Sequence, residues 1–328
     1  MRSSPKTSPY RRELTPLLPS REALLEGLSA ALGCGRALEL VDREAHLYAS
    51  THPAEVVTCR IGARKVVRLL LKYGVDHLGS RAEGVAYETA VYRAVLAPLA
   101  AGTPVFFGSY SPPKLRSSWL LLEYLPDYAR ADDARPPGAA LRRAARWAGS
   151  FHRSAAALLD EIPSGLLNRW ENSRYRELAD RAADYGRGRA NEFPWFEDLC
   201  REARELTGEL ASAPRTVVHG EFTPHNILVR GRRVAPVDWE RAAVGPGETD
   251  IAALTDGWPE PLVQTCVDEY AGARWGTARR AETGRRLDVA RLFWHLGWLA
   301  KGPDWAVGRK SRRHFEQAHL LGSKLRLL

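Results

Sequence analysis

The chain has 328 residues, of which 45% are hydrophobic and 27% charged, a composition typical of folded globular proteins and unlike that of disordered or fibrous ones. Its length predicts about two domains or lobes. The net charge of +9 would suit anionic partners, but the excess is arginine spread along the chain and no recognised DNA- or RNA-binding module occurs, so we expect no nucleic-acid partner.

The N-terminal residues 1–36 are predicted to form a mobile tail followed by one helix. Residues 1–20 are rich in Ser, Pro and Arg and lack the apolar core of a signal peptide, and no run of about eighteen apolar residues occurs elsewhere. Ser20 is a favourable N-cap for a helix that extends to about Leu32, where Gly33 supplies a stop. We therefore expect a cytoplasmic protein with no membrane partner.

Residues 37–125 predict a small lobe made of a sheet and one helix. Strands are predicted at 37–49, 55–61 and 65–72, the last two joined by a short turn at Gly62. A helix over 81–96, ended by Pro98, and two further strands at 105–110 and 119–124 follow. This order is typical of an α+β lobe.

Residues 126–328 predict a mostly helical second lobe. The segment 126–138 breaks both the helical and the strand periodicity, which is typical of a connection between lobes. Apolar periodicity then predicts helices at 139–159, 173–185, 196–211, 261–273, 279–300 and 309–325. One non-helical island, residues 216–244, interrupts them.

The island contains the polar residues that can carry chemistry. It holds His-Gly-Glu at 219–221, then Asn226, a turn around Gly231 and Asp238. The apolar runs on either side of the turn predict a hairpin, and pairing about a turn centred on Arg232 places Asn226 opposite Asp238. An amide oxygen and a carboxylate side by side form the kind of hard oxygen site that Mg²⁺ prefers.

The order His-Gly-Glu, four residues, Asn, then a hairpin and Asp-Trp-Glu at 238–240 resembles the catalytic segment of the aminoglycoside phosphotransferase and choline kinase family, distant relatives of protein kinases. The similarity in order and spacing extends from about residue 37 to about residue 300. It implies an α+β, bilobal protein-kinase-like fold with a small N-terminal antiparallel-sheet lobe and a larger, mostly helical C-terminal lobe. The expected division is 1–36, tail and helix; 37–125, nucleotide-binding sheet and helix; and 126–328, catalytic loop, metal site and acceptor pocket.

The resemblance implies a kinase that depends on ATP and Mg²⁺. Glu221 would accept the proton of the acceptor hydroxyl, while Asn226 and Asp238 would hold Mg²⁺ on the nucleotide phosphates. The protein's task in such a reaction is mainly to align the acceptor with the γ-phosphate and to neutralise charge. His219 and Asp250 correspond to residues that support the catalytic loop. Glu240 either assists the metal or caps the segment that follows it.

The first lobe supplies the expected nucleotide contacts. Lys72 ends an apolar run, as the lysine of the family's third strand does. Glu88 lies on the next helix, where the family has the acidic partner of that lysine. Taken alone, both would be interpreted as surface residues. Ser50 and Thr51 are expected to touch the phosphates, although a plain turn between strands fits them equally. The adenine edge is expected to meet backbone groups at the hinge, around Glu123, Tyr124 and Leu125.

Two features depart from the family pattern. The commonest family loop has aspartate where this chain has Glu221, a change that moves the carboxylate by roughly 1.5 Å. No glycine-rich phosphate loop occurs, since Ser-Thr-His-Pro occupies residues 50–53. Two alternatives therefore stay open: a catalytically impaired, nucleotide-binding pseudokinase, and a basic interaction module on a kinase-like fold.

The acceptor is expected to be a small molecule with a hydroxyl group, such as an antibiotic, another natural product, a sugar, a nucleoside or an amino alcohol. Acidic residues expected near its pocket are matched by arginines, so a less cationic acceptor is as credible as a polycationic aminoglycoside; these residues are Glu171, Asp180, Asp184, Glu260 and Asp268. Tryptophans such as Trp294 and Trp298 would line an aromatic pocket, but their spacing of four on one helix face favours core packing. The four cysteines form no CxxC pair, so we expect buried thiols. We also expect the protein to be a monomer or a homodimer.

Overall fold

The computed structural model describes residues 18–34, 38–46, 52–63, 65–75, 84–113, 117–276, 280–302 and 309–328. The fold is mixed α+β, with an antiparallel sheet in the N-terminal part and helices after it. The chain forms two compact units, Met1–Tyr128 with Val237–Arg241, and Ala129–Pro236 with Ala242–Leu328. The short segment Val237–Arg241, which the sequence analysis assigned to the second lobe, thus belongs to the first unit.

The first unit is a sheet with one helix before it in the sequence and a second helix between its third and fourth strands. Its described elements are α1 (Arg21–Leu32), β1 (Leu38–Ala45), β2 (Ala54–Ile61), β3 (Lys65–Val75), α2 (Val85–Val91), β4 (Phe106–Tyr110) and β5 (Ser117–Glu123). Within the described residues, five strands pair antiparallel in the order β1-β2-β3-β5-β4. Helix α2 continues through a wider π-type turn, Tyr92–Leu96, and a last turn, Ala97–Leu99.

Local sequence signals set the ends of α1. The Ser20 hydroxyl accepts from the Ala23 N–H, and Gly33 ends the helix with φ 63°, as an N-cap and a left-handed C-terminal residue should. Leu24 and Leu28 are fully buried against the sheet. Gly27 faces the Trp119 ring so closely that a Cβ there would lie 2.3 Å from it. The helix therefore sits directly on the β5 side chains.

The second unit is mostly helical. Its helices are α3 (Pro137–Ala157), α4 (Asn172–Arg187), α5 (Phe196–Ala203), α6 (Thr207–Ala211), α7 (Glu248–Thr255), α8 (Glu260–Trp275), α9 (Arg280–Leu299) and α10 (Arg309–Leu325). Its strands are β6 (Ala129–Arg130), β7 (Asn168–Arg169), β8 (Arg215–Val218), β9 (Ile227–Arg230), β10 (Arg233–Pro236) and β11 (Ala243–Pro246). In the described part they form two small sheets, in the orders β10-β9-β6 and β7-β11-β8.

Small residues bring helices α3 and α8 into close contact in the second unit. Ala140, Ala144 and Ala148 are fully buried on one face of α3, as the helical period requires. Gly149 lies so near α8 that a Cβ would come within 2.4 Å of the Tyr270 carbonyl oxygen. This contact fixes the position of α8, on which part of the polar network described below depends.

Most predicted elements are present, with shifted ends. The helix predicted over 81–96 begins at Val85, and the helical segment continues past the predicted stop to Leu99. Pro98 lies in the first turn of the short piece Ala97–Leu99, where proline is tolerated. The helix predicted over 196–211 is three shorter pieces, α5, the 3₁₀ turn Arg204–Leu206, and α6. The N-terminal tail, 1–17, lies outside the described residues.

Cys59, Cys200 and Cys266 are buried, whereas Cys34 is only half-buried, and none of the four forms a disulfide in the described structure. Burial raises the pKa of Cys59 to about 11 and keeps its thiol protonated at neutral pH. None of the helices in the described ranges combines the length and the apolar character needed to cross a bilayer.

Candidate active site

A buried cluster of one lysine and two carboxylates lies in the first unit. Lys72, on β3, donates from Nζ to Glu88 Oε2 on α2 over 2.7 Å and also to Asp238 Oδ1. The Glu88 side chain is 1% exposed, and that of Lys72 is 16% exposed. The three predicted residues are therefore together, although they come from three separate segments of the chain.

Charge complementarity stabilises this cluster. Burial alone would lower the pKa of Lys72, but the nearby carboxylates of Glu88, Asp238 and Glu240 outweigh that effect and raise it above its usual range, so the lysine is a cation. Burial raises the pKa of Glu88, and the Lys72 ammonium opposes that rise. Three carboxylates around one lysine leave a local excess of negative charge, which favours binding of a further cation.

The segment Val237–Arg241 is held in place by both its backbone and its side chains. Trp239 is fully buried, and its N–H donates to Glu88 Oε1 over 3.0 Å. Asp238 adopts a left-handed backbone with φ 69°, which aspartate tolerates better than most residues. Glu240 Oε2 lies 3.1 Å from His52 Nε2, a contact that the sequence analysis did not predict because 188 residues separate the two.

The loop after β8 is held through its backbone by Asp250. Oδ2 of Asp250 accepts from the His219 N–H over 2.7 Å, and Oδ1 accepts from the Gly220 N–H over 3.0 Å. Gly220 has φ 82°, a conformation that costs glycine nothing. His219 is fully buried, and its Nδ1 accepts from the Glu221 N–H over 3.3 Å. Both predicted support residues thus contact the predicted catalytic loop.

The remainder of the same loop is anchored by an aromatic residue. Phe222 is fully buried and stacks on Trp147 at 5.8 Å between ring centroids, and Trp147 in turn stacks on Phe151 at 5.0 Å. Asn226 Nδ2 donates to the carbonyl oxygen of Glu221 over 3.1 Å. Because the amide nitrogen is used inside the loop, the Asn226 side-chain oxygen is the atom suited to meet a cation.

The predicted register of the hairpin is wrong by one residue. The β9–β10 ladder pairs Arg233 with Arg230 and ends with Pro236 opposite Ile227, whereas the prediction placed Asn226 opposite Asp238. The loop contains two residues, Gly231 with φ 56° and the next arginine, so the hairpin turns between them rather than on the second one. A two-residue loop with glycine first is a common hairpin connection, which the run of arginines around it obscured.

The predicted adenine contacts are only partly available. The Glu123 N–H donates to the Val105 carbonyl oxygen over 2.9 Å, so it is engaged within the sheet. The Tyr124 ring lies 4.7 Å from the Arg68 guanidinium carbon, and Leu125 is half-buried. Their backbone role stays a prediction. The residues expected at the phosphates, Ser50 and Thr51, lie outside the described residues.

Most acidic residues predicted near the acceptor do have arginine partners. The contacts are Glu171 with Arg215 at 3.0 Å, Asp180 with Arg204 at 3.0 Å, Asp184 with Arg187, and Glu260 with Arg291 at 3.6 Å. Asp268 accepts from Gln264 over 3.2 Å. The Trp294 and Trp298 rings meet edge to face at 5.6 Å, and Trp294 packs against the hydrophobic core, as the spacing predicted.

Protein side chains alone do not assemble a metal site in the part of the chain that the structure describes. No group of three or more His, Cys, Asp or Glu side chains there could hold a metal ion. Mg²⁺ in kinase-type sites is usually held by one or two carboxylates together with substrate phosphates and water. Asp238, in the first unit, offers a carboxylate of the right chemistry for such a ligand, and Asn226, in the second unit, offers an amide oxygen.

Most of the chain matches the model of a known protein family. Residues 52–283 match the model of the phosphotransferase enzyme family, APH, which covers well over half of the chain. No curated protein matches the sequence.

Solved structures with the same fold are similar over nearly their whole length. Choline kinase from Cryptosporidium parvum Iowa II is 13% identical, with 89% of this chain and 90% of that chain covered and a TM-score of 0.61. A thermostable mutant of aminoglycoside phosphotransferase APH(4)-Ia is 15% identical (93% and 99% covered, TM-score 0.60). LicA in complex with AMP is 13% identical (94% and 100% covered, TM-score 0.56). At these identities the likeness shows the fold alone, which is the predicted protein-kinase-like one.

Proposed function

The chain belongs to the phosphotransferase enzyme family, and from that premise we propose that it transfers the γ-phosphoryl group of ATP, with Mg²⁺, to a hydroxyl of a small molecule. The observation that carries this proposal is the contact of Lys72 with both Glu88 and Asp238. A lysine oriented by a buried carboxylate is suited to hold nucleotide phosphates. Its second partner, Asp238, is suited to bind the metal that accompanies them.

The metal assignment is supported by the chemistry of the donors. Asp238 offers a carboxylate that is 30% exposed, and Asn226 offers an amide oxygen whose neighbouring nitrogen is already used. Mg²⁺ prefers hard oxygen ligands of this type. When bound, the metal would neutralise charge on the phosphates. Lys72 would turn from Asp238 toward the phosphates while it keeps its contact with Glu88.

The proton step is assigned to Glu221. Its backbone N–H is bonded to His219, and the next residue, Phe222, is fully buried, so the loop presents the carboxylate from a fixed backbone. The carboxylate would accept the proton of the acceptor hydroxyl as the oxygen bonds to the γ-phosphorus, while the bond from that phosphorus to the bridging oxygen breaks and ADP leaves. General bases in such steps typically contribute 10²- to 10⁴-fold in rate, by order of magnitude.

We expect a less cationic acceptor than a polyamine antibiotic. Most of the acidic side chains that would attract such an antibiotic have arginine partners; Glu171 with Arg215 and Asp180 with Arg204 are examples. A neutral natural product, a sugar, a nucleoside or an amino alcohol therefore fits better. Exposed ion pairs are individually weak, so these pairs bear on the charge of the surface more than on its stability.

Calorimetric titration tests the nucleotide part of the proposal. ATP is titrated with and without Mg²⁺ into the wild type, Asp238→Asn, and the control Asp198→Asn, which makes the same change at an exposed site on α5. We expect magnesium-dependent binding that Asp238→Asn weakens and the control preserves. Absence of binding under both conditions would contradict the kinase assignment. A parallel GTP titration identifies the preferred nucleotide.

Product analysis separates catalysis from binding. Incubation with Mg-ATP and a panel of hydroxyl-bearing compounds should yield a phosphorylated product, which Asp238→Asn should abolish. ATP binding without any product would favour the pseudokinase alternative, for which glutamate in place of the commoner aspartate at position 221 is the supporting observation. Salt-sensitive binding of polyanions that survives Asp238→Asn would favour the interaction module instead.

A further inference from the structure

A line of buried polar side chains connects helix α8 to the loop that carries Glu221. We propose that Tyr270 and Arg274, on α8, are positioning residues for this loop and act on it through His152 and Asp250. The consequence for catalysis rests on the proposed function of Glu221, whereas the effect on the position of the loop does not. Neither Tyr270 nor Arg274 belongs to a sequence motif that pointed to the site.

The contacts form an unbroken series inside the second unit. Arg274 Nη1 donates to the Tyr270 hydroxyl. The hydroxyl lies 3.2 Å from His152 Nδ1, and His152 Nε2 lies 3.1 Å from Asp250 Oδ2. All four side chains are at most 3% exposed. The final carboxylate is the one that accepts from two backbone N–H groups of the loop.

The chemistry of the groups fixes the direction of every hydrogen bond. Arginine can only donate and a carboxylate can only accept, so Arg274 must donate to the tyrosine oxygen, and His152 Nε2 must carry the proton given to Asp250. Burial lowers the pKa of His152 although Asp250 opposes this, so the ring is neutral. Its Nδ1 is then an acceptor. Burial raises the pKa of Tyr270, and its hydroxyl donates to that nitrogen.

A glycine makes room for the junction of these groups. A Cβ on Gly247 would lie 2.1 Å from Arg274 Nη1, 2.3 Å from the Tyr270 hydroxyl and 2.5 Å from His152 Nδ1. The backbone before α7 therefore touches three members of the series at once. Arg274 Nη2 also donates to the Pro214 carbonyl oxygen over 2.9 Å, which ties the far end of the series to the residue before β8.

Removal of the Tyr270 hydroxyl should leave Nδ1 of His152 without its hydrogen-bond partner. Without it, Nδ1 of His152 would be a buried acceptor with no donor, which is unfavourable. The Asp250 carboxylate would keep the proton on Nε2. The ring would gain from turning toward another donor for Nδ1, and this movement would displace the Asp250 carboxylate. Asp250 would hold the loop less firmly. The consequence concerns the position of Glu221 and leaves the Lys72 cluster untouched.

Two-bond ¹H–¹⁵N spectra of protein labelled at histidine test the direction of the series. In the wild type we expect His152 in the neutral form with the proton on Nε2. Tyr270→Phe should keep the proton on Nε2 and move the Nδ1 signal downfield, because that nitrogen no longer accepts a hydrogen bond. The matched control is Tyr175→Phe, because the Tyr175 hydroxyl is also buried but has no hydrogen-bond partner among the described residues; its spectrum should be unchanged. A wild-type proton on Nδ1 would overturn the proposal.

Amide exchange tests the effect on the loop without any assay of activity. We expect the His219 and Gly220 amides to exchange on the order of tenfold faster in Tyr270→Phe than in Tyr175→Phe. Gly247→Ala, which inserts a methyl group into the junction, should give the same change. Unaltered exchange in both Tyr270→Phe and Gly247→Ala would refute the positioning role. If a kinase activity is found, Tyr270→Phe should lower kcat while the ATP affinity stays as in the wild type.

Discussion

At the scale of single residues, the most informative departure from the family pattern is Glu221. The backbone on both sides of it is fixed, by the Asp250 contacts before it and by the buried Phe222 ring after it. A fixed backbone cannot follow a change in side-chain length. The extra methylene of glutamate must therefore be matched by the position of the acceptor, rather than absorbed by the loop.

Shortening this side chain should impair catalysis. We expect Glu221→Asp to lower kcat by roughly 10- to 100-fold, because a misplacement of about 1 Å can cost that much. Glu221→Gln should lower it by about 10²- to 10⁴-fold, because it cannot accept the proton. ATP affinity should be unchanged in both. The measurement is steady-state kinetics on the acceptor that the product screen identifies, and an aspartate variant as fast as the wild type would contradict the argument.

Glu88 is predicted to contribute to stability as well as to the site. Glu88→Gln keeps the shape but removes the charge that Lys72 contacts inside the protein, so we expect a loss of about 1–3 kcal/mol in unfolding free energy and weaker ATP binding. Glu44→Gln is the matched control, since Glu44 is 63% exposed and 3.9 Å from Arg68. Urea unfolding compares the two, and equal stabilities would contradict the prediction.

At the scale of elements, close packing of α1 on the sheet leaves no space beside Gly27. Gly27→Ala should destabilise the protein by about 1–3 kcal/mol, because the added methyl group overlaps the rigid Trp119 ring. Gly272→Ala is the control: nothing lies within 4 Å of a Cβ there, and alanine favours a helix by up to about 1 kcal/mol. Thermal unfolding should therefore shift in opposite directions, and a shared direction would contradict the packing argument.

Elements with local signals could be predicted from the sequence, and contacts distant in the sequence could not. Ser20 and Gly33 mark the ends of α1 because capping is decided within a few residues. The β9–β10 register failed because the arginines around Gly231 fit a turn centred on either side. The contact of Glu240 with His52, and that of His152 with Asp250, join segments about 100 residues apart or more. Only the resemblance to a family anticipated any such pairing.

At the scale of the whole molecule, the exposed charges contribute little to the free energy of unfolding. Many of the ion pairs between arginines and acids lie at exposed positions; Arg201 with Asp198 at 2.6 Å and Arg312 with Glu316 at 3.1 Å are examples. Such pairs contribute about 0–1 kcal/mol each. The buried ionisable groups matter more, because their protonation differs between the folded and the unfolded chain.

A buried histidine pair in the second unit is the clearest case. His295 Nδ1 lies 2.9 Å from His314 Nδ1, and the two residues are 3% and 5% exposed. Burial lowers the pKa of His295 to about 3 and that of His314 to about 4, although the Asp256 carboxylate opposes both shifts. In the unfolded chain both pKa values return to about 6.5. Between these values the unfolded chain binds protons that the folded protein excludes.

The contribution of this pair to the unfolding free energy should therefore be complete above about pH 6.5, and the unfolding free energy should fall as the pH decreases toward 4. The slope should approach about 1.4 kcal/mol per pH unit for each histidine. His314→Asn removes one of the two groups while it keeps a polar side chain next to His295. The unfolding free energy of this variant should therefore change less steeply with pH, by about 1.4 kcal/mol per pH unit, the slope due to one proton. Urea unfolding at several pH values between 4 and 7.5 measures both slopes. Identical slopes would mean that His314 takes up a proton as readily in the folded protein as in the unfolded chain, which its burial beside His295 and Arg313 argues against.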